Sequence, residues 1–209
     1  MSLEEKLPSG RGSSYDYDHP ASQAAASQAA SAAGAGAAPT APTAPNAPGA
    51  VAGFGDAVSY GSPGPATDVH EVAVAPTPTD RGYWVATSDG RVLAYGDAAY
   101  HGSLAGQHLK STIVGMAATP SGHGYWLVAA DGGVSAFGDA VYHGSLVGVG
   151  QPTQSVSALT PTPSGKGYWV IASNGAIFSF GDATYRGAVT TPPASTVVTG
   201  LTATSDGAG

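Results

Sequence analysis

The stretch GYWLVAADGGVSAFGDAVYHGS, Gly124 to Ser145, decides how the chain is read. GYWVATSDGRVLAYGDAAYHGS (Gly82 to Ser103) precedes it, and GYWVIASNGAIFSFGDATYRGA (Gly167 to Ala188) follows it. A Tyr-Trp pair, a glycine turn and an aromatic-Gly-Asp-Ala motif return in the same order each time. The last motif starts at Phe54, Tyr95, Phe137 and Phe180, steps of 41, 42 and 43 residues, and the Tyr-Trp pair keeps the same beat. Self-similarity at such a period marks stacked structural units rather than one isolated site.

Each unit parses into four short apolar runs. In the middle copy they are TIVGMAAT, YWLVAA, VSAFG and VYHGS, separated by Pro-Ser-Gly-His-Gly, Asp-Gly-Gly and Asp-Ala. Runs of this length bounded by turn residues predict strands joined by hairpins. The pairs Asp89-Gly90, Asp131-Gly132 and Asn174-Gly175 suit the positive φ of a two-residue hairpin turn. Along YWLVAA, Tyr125, Leu127 and Ala129 share one face, and Trp126, Val128 and Ala130 the other. Both faces are apolar, so each sheet is expected to be covered on both sides.

The fold class that follows is all-β: a β-propeller-like array of four-stranded antiparallel blades, each of about 42 residues. First strands rich in small residues, such as VGMAAT and VSALTPT, suit the crowding near an axis. Full units are expected at 69–103, 112–145 and 155–188, with partial units at 49–62 and 197–209. A β-trefoil is the alternative, but it stops at three units, and the flanking partial units favour the array. Ring closure with one strand missing, or an open array with an exposed edge strand able to self-associate, are both compatible with these pieces.

Residues 1–48 differ in kind. ASQAAASQAASAAGAGAA followed by PTAPTAPNAP has no amphipathic face, and its prolines favour an extended spacer, so a disordered arm is expected here. The whole chain of 209 residues carries 14 acidic and 7 basic residues, a net charge of −7. No Lys/Arg cluster offers a nucleic-acid footprint. No run approaches the roughly 18 apolar residues of a membrane span. Cysteine is absent, which excludes disulfides and thiolate chemistry. The N-terminus lacks the apolar core of a standard secretory signal.

GYWLVAADGGVSAFGDA resembles the repeat found in many exported proteins of actinobacteria, often in arrays accompanying cell-wall hydrolases or peptidases. The resemblance covers residues 49–209, with the Tyr-Trp, Asp-Gly-Gly and Phe-Gly-Asp-Ala elements in register. It implies an extracellular or cell-surface accessory module and brings no catalytic residues with it.

The recurrent Asp56, Asp97, Asp139 and Asp182 invite an acid/base reading. Each has the same local setting, however, where a carboxylate can accept bonds from its own turn, so a structural role is expected and neither metal nor cofactor is assigned. His101 and His143 share one position, filled by Arg186 and Tyr60 in the other copies. His101, His143 and Arg186 are the candidate ligand contacts. Trp84, Trp126 and Trp169 are expected as interlocking core rather than sugar platforms. No Gly-x-Ser-x-Gly elbow or phosphate-cradling Gly-x-x-x-x-Gly-Lys loop occurs. The function expected is non-catalytic binding or display, of a protein or a cell-envelope glycan, through the loops LAGQHLKS, LVGVGQPTQS and AVTTPPAS. The alternatives are an accessory fragment of a longer exported hydrolase, or an enzyme with a site in a central channel.

Overall fold

The computed structural model of the chain describes residues 51, 57–63, 69–150, 155–189 and 197–206. These all belong to the compact unit Ala35–Gly209. The arm 1–48, Phe54 and Asp56 lie outside the described residues.

Nine strands form three antiparallel sheets, and no helix occurs among the described residues. The first sheet is β1 (Glu71–Pro76), β2 (Gly82–Thr87) and β3 (Val92–Gly96). The second is β4 (Ile113–Ala118), β5 (Gly124–Ala129) and β6 (Val134–Gly138). The third is β7 (Val156–Pro161), β8 (Gly167–Ala172) and β9 (Ile177–Gly181). Spatial order follows chain order in each sheet. The register repeats too: Ala117 pairs with Trp126 and Trp126 with Ala136, as Ala75 pairs with Trp84 and Trp84 with Ala94.

The two apolar faces of β5 feed two different cores. Tyr125 and Leu127 join Trp84, Ala86 and Ile113 between the first and second sheets. Trp126 and Val128 join Leu159, Tyr168 and Val170 between the second and third. Trp84 meets Tyr125 with ring centroids 5.7 Å apart, and Trp126 meets Tyr168 at 5.8 Å. Sheets therefore stack face to face, with Trp84 and Trp126 each pressed on the Tyr of the next unit, and all three Trp are core. The first strands lie against one another, β1 with β4 and β4 with β7. Backbone bonds stitch the stack: Ile113 N–H donates to Ser88 O (3.0 Å) and Val156 N–H to Ala130 O (2.9 Å). Val198 N–H donates to Ser173 O (2.9 Å) in the same pattern, seating the segment after the third sheet where a next first strand would lie.

Two expectations need correction. The sheets have three strands, not four. The segments Ala98–Ser103 and Ala140–Ser145 are irregular, because their backbone groups bond to a side chain of the next unit rather than to a ladder. The tight hairpins also differ from a two-residue turn. Gly90 N–H donates to Thr87 O and Thr87 N–H to Arg91 O, which closes a three-residue loop. Only the glycine takes positive φ (83° at Gly90, 83° at Gly132, 87° at Gly175). This is a type I turn followed by a left-handed glycine, the next most common hairpin connection.

Candidate functional site

The repeated polar groups meet at two places in each unit, and both are built from residues far apart in sequence. One is a lock at the hairpin tips. Asp139 accepts the hydroxyl of Thr119 on Oδ1 (2.8 Å) and that of Ser121 on Oδ2 (2.5 Å). Asp97 does the same with Thr77 and Thr79, and Asp182 with Thr162 and Ser164. The Thr hydroxyl also donates to the Gly carbonyl that opens the second strand, as Thr119 does to Gly124 (3.2 Å). The lock ties the tip of the first hairpin to the end of the third strand.

The lock lowers the pKa of its carboxylates. For Asp97 the Thr79 hydroxyl is the leading cause, and for Asp182 the Ser164 hydroxyl. For Asp139, partial burial pulls upward, and the hydroxyls of Ser121 and Thr119 with the nearby His123 and His101 outweigh it. Each of these aspartates thus has a scaffold hydroxyl on both carboxylate oxygens.

The other place is a clasp between units. The hydroxyl of Tyr125 donates to Gly102 O (2.5 Å) and accepts His101 N–H (3.2 Å). Tyr168 makes the same pair with Gly144 O and His143 N–H, and Tyr83 with Gly61 O and Tyr60 N–H. Burial raises the Tyr125 and Tyr168 hydroxyls, that of Tyr168 up to about 12. The clasp glycine faces the aromatic ring of the next unit. A Cβ on Gly102 would lie 2.9 Å from Phe137 and one on Gly144 2.8 Å from Phe180, at φ of 123° and 127°. Each indole N–H closes the same segment from behind, donating to Ala99 O, Val141 O or Thr184 O.

The predicted contacts fall into two kinds of surroundings. His101 and His143 are half-buried in the clasps, their rings against Tyr125 (5.7 Å) and Tyr168 (5.8 Å). Arg186 is exposed. Just before each of the three stands a tyrosine that the sequence analysis passed over: Tyr100, Tyr142 and Tyr185, exposed at 42%, 53% and 57%. Tyr100 and Tyr142 donate to Ser103 Oγ (3.0 Å) and Ser145 Oγ (3.1 Å), which orients both rings at the surface. Their recurrence one residue before the histidines was the signal available. A shallow cleft of about 260 Å³ lies between Ser88–Asp89 and Gln107–Thr112. No group of three His, Cys, Asp or Glu able to hold a metal occurs among the described residues.

No known family matches the chain, and neither does any curated protein. Among solved structures, it is similar to the β-propeller domain of Cps50 (Swd1) from Myceliophteria thermophila, at 14% identity and a TM-score of 0.46. That similarity spans 66% of this chain and 47% of the other, so the chain covers less than half of that structure's length.

Proposed function

We propose that residues 49–209 form a β-propeller-like array and serve as a non-catalytic binding module for a glycan of the actinobacterial cell envelope. One observation carries the reading. The recurrent hydrogen-bonding groups are engaged by the scaffold, in the lock, the clasp and the indole bond, while the aromatic rings left exposed on the same beat are tyrosines. Aromatic rings with an adjacent hydroxyl suit the apolar faces and hydroxyl edges of sugars. Tyr100, Tyr142 and Tyr185 are the leading contacts, joined by Arg186 and the accessible edges of His101 and His143. Repetition raises weak unit affinities through effective concentration. The outer edges of β3, β6 and β9 are a route to self-association, and sedimentation of the chain at rising concentration tests that.

The deciding experiment is a pull-down of the chain on purified actinobacterial cell walls, beside a variant with Ala at Tyr100, Tyr142, Tyr185 and Arg186. Binding by the wild type that the variant loses supports the reading. Failure of both to bind removes the envelope glycan. Retention that survives digestion of the glycan points to a protein partner instead. Turnover of peptide, ester or glycoside substrates would replace the module with an enzyme.

A further inference from the structure

His101 and His143 occupy one position in two successive seams, and the surroundings match. The His101 ring stands edge-on to Tyr125 of the next sheet and tilted to Trp84 of its own, 6.3 Å between centroids. The next sheet's glycine forms the floor: a Cβ on Gly138 would lie 3.0 Å from His101 Cγ, and one on Gly181 3.0 Å from His143 Cγ. In both rings Nε2 is buried and has no hydrogen-bond partner. Each ring therefore packs two units together with a titratable nitrogen turned inward.

The groups facing each ring are few. Around His101 they are Asp139, His123 and the Tyr125 hydroxyl, with the Gly122 carbonyl nearby. Around His143 they are Asp182 and the Tyr168 hydroxyl, with Lys166 where the other seam has His123. The aspartates are engaged by hydroxyls and the tyrosines by the clasp. A neutral imidazole leaves Nε2 as an unpaired acceptor but places no charge in the seam. Protonation puts an N–H there, and a buried donor without a partner carries its full desolvation penalty.

We propose that protonation of His101 loosens the seam between the first and second sheets, so that the stacking of these two units is acid-sensitive. Burial supports this direction, holding His101 below the ordinary value of 6.5, while the Gly122 carbonyl and Asp139 pull the other way and His123 adds to the lowering. With the folded value below the unfolded one, the ring favours the folded state fully above pH 6.5. That contribution fades as pH falls through 6.5 and is gone below the folded value. The same position holds Tyr60 in the first clasp, its ring 6.1 Å from Tyr83, so the seam accepts a side chain that stays uncharged there.

Hydrogen exchange on the full chain, compared at about pH 7.5 and about pH 5 after correction for intrinsic rates, tests the proposal. Seam amides such as Ile113 and His101 are expected to lose protection at least several-fold more than ladder amides within β5. The H101Y variant is expected to abolish that difference, and H101Q serves in its place if the tyrosine variant does not fold. NMR titration of the wild type supplies a second readout, with the His101 ring titrating below the ordinary 6.5. Equal protection at both pH values, an unchanged acid response in the folded variant, or His101 titrating at or above 6.5 would each overturn it.

Discussion

Within one unit, β5 and the segment Ala140–Ser145 repeat with equal fidelity, yet they do opposite things. β5 is a central strand, buried along almost its whole length, with ladders on both sides. Ala140–Ser145 has no ladder and leaves Val141 and Tyr142 exposed. What they share is a joint with the neighbouring unit. β5 reaches it through side chains, Tyr125 backward and Trp126 forward, and the other segment through the backbone N–H and C=O around His143 and Gly144. Recurrence in this chain therefore records contact between units, whichever state the backbone is in.

The harshest way to break the pairing is to empty the strand. Trp126 is fully buried, so Trp126→Ala is expected to cost about 3–5 kcal/mol in equilibrium denaturation, the range for deleting a buried large aromatic. The Val141 carbonyl loses its indole donor at the same time. A loss below about 1 kcal/mol would mean that the sheets do not depend on this face.

A gentler cut separates strand from clasp without opening a cavity. Tyr125→Phe keeps the ring against Trp84 and Phe137 but removes the hydroxyl shared by His101 N–H and Gly102 O. Both backbone groups are left without their partner, and a loss of about 1–3 kcal/mol follows. Tyr168→Phe should match it in the next seam, since the bonds are the same. If Tyr125→Phe were neutral, the clasp would be a consequence of sheet stacking rather than a cause.

Strands, hairpins and the two-faced core were legible because they rest on local alternation and turn chemistry. The clasp was not. VYHGS has the composition of a strand, and what holds it is a tyrosine hydroxyl 25 residues further on from His143. The lock was half legible. The aspartates were read as structural, but their chief partners are the hydroxyls of Thr77-Pro78-Thr79, Thr119-Pro120-Ser121 and Thr162-Pro163-Ser164. Those triplets recur on the same beat as the aspartates, a correlation that was open to inspection. The exposed tyrosines were hidden by the neighbouring histidines, whose chemistry is more familiar but whose inner nitrogens face the seam.

Acid separates lock from seam. The folded values of Asp97, Asp139 and Asp182 lie below the ordinary 3.8. Their contribution is thus present above pH 3.8 and lost as pH falls through the lowered values. The thermal midpoint is expected to drop a second time below about pH 4, apart from any change through the histidine range. Replacing Thr119 by Val and Ser121 by Ala should shrink the lower step and leave the upper one. A lower step of unchanged size would assign it to other carboxylates.

The smallest effect sharpens the comparison at the hairpin tips. Gly122 and Gly165 take left-handed φ of 74° and 70°, and a Cβ on Gly122 would lie 2.6 Å from Pro78 Cδ of the preceding tip. In the first sheet the same position is Asp80, at φ 57°, exposed, with no sheet before it among the described residues. Aspartate tolerates this conformation better than most residues but still at a cost. Asp80→Gly removes that cost and gains unfolded-chain entropy that works against it, so a stabilisation of a few tenths to about 1 kcal/mol is expected. Gly122→Asp meets both the conformational penalty and Pro78, and should lose more than Asp80→Gly gains. Chemical denaturation of the two variants reads both signs. If Gly122→Asp is as mild as Asp80→Gly, the tips do not bear on one another, and the stack is held by the cores and clasps alone.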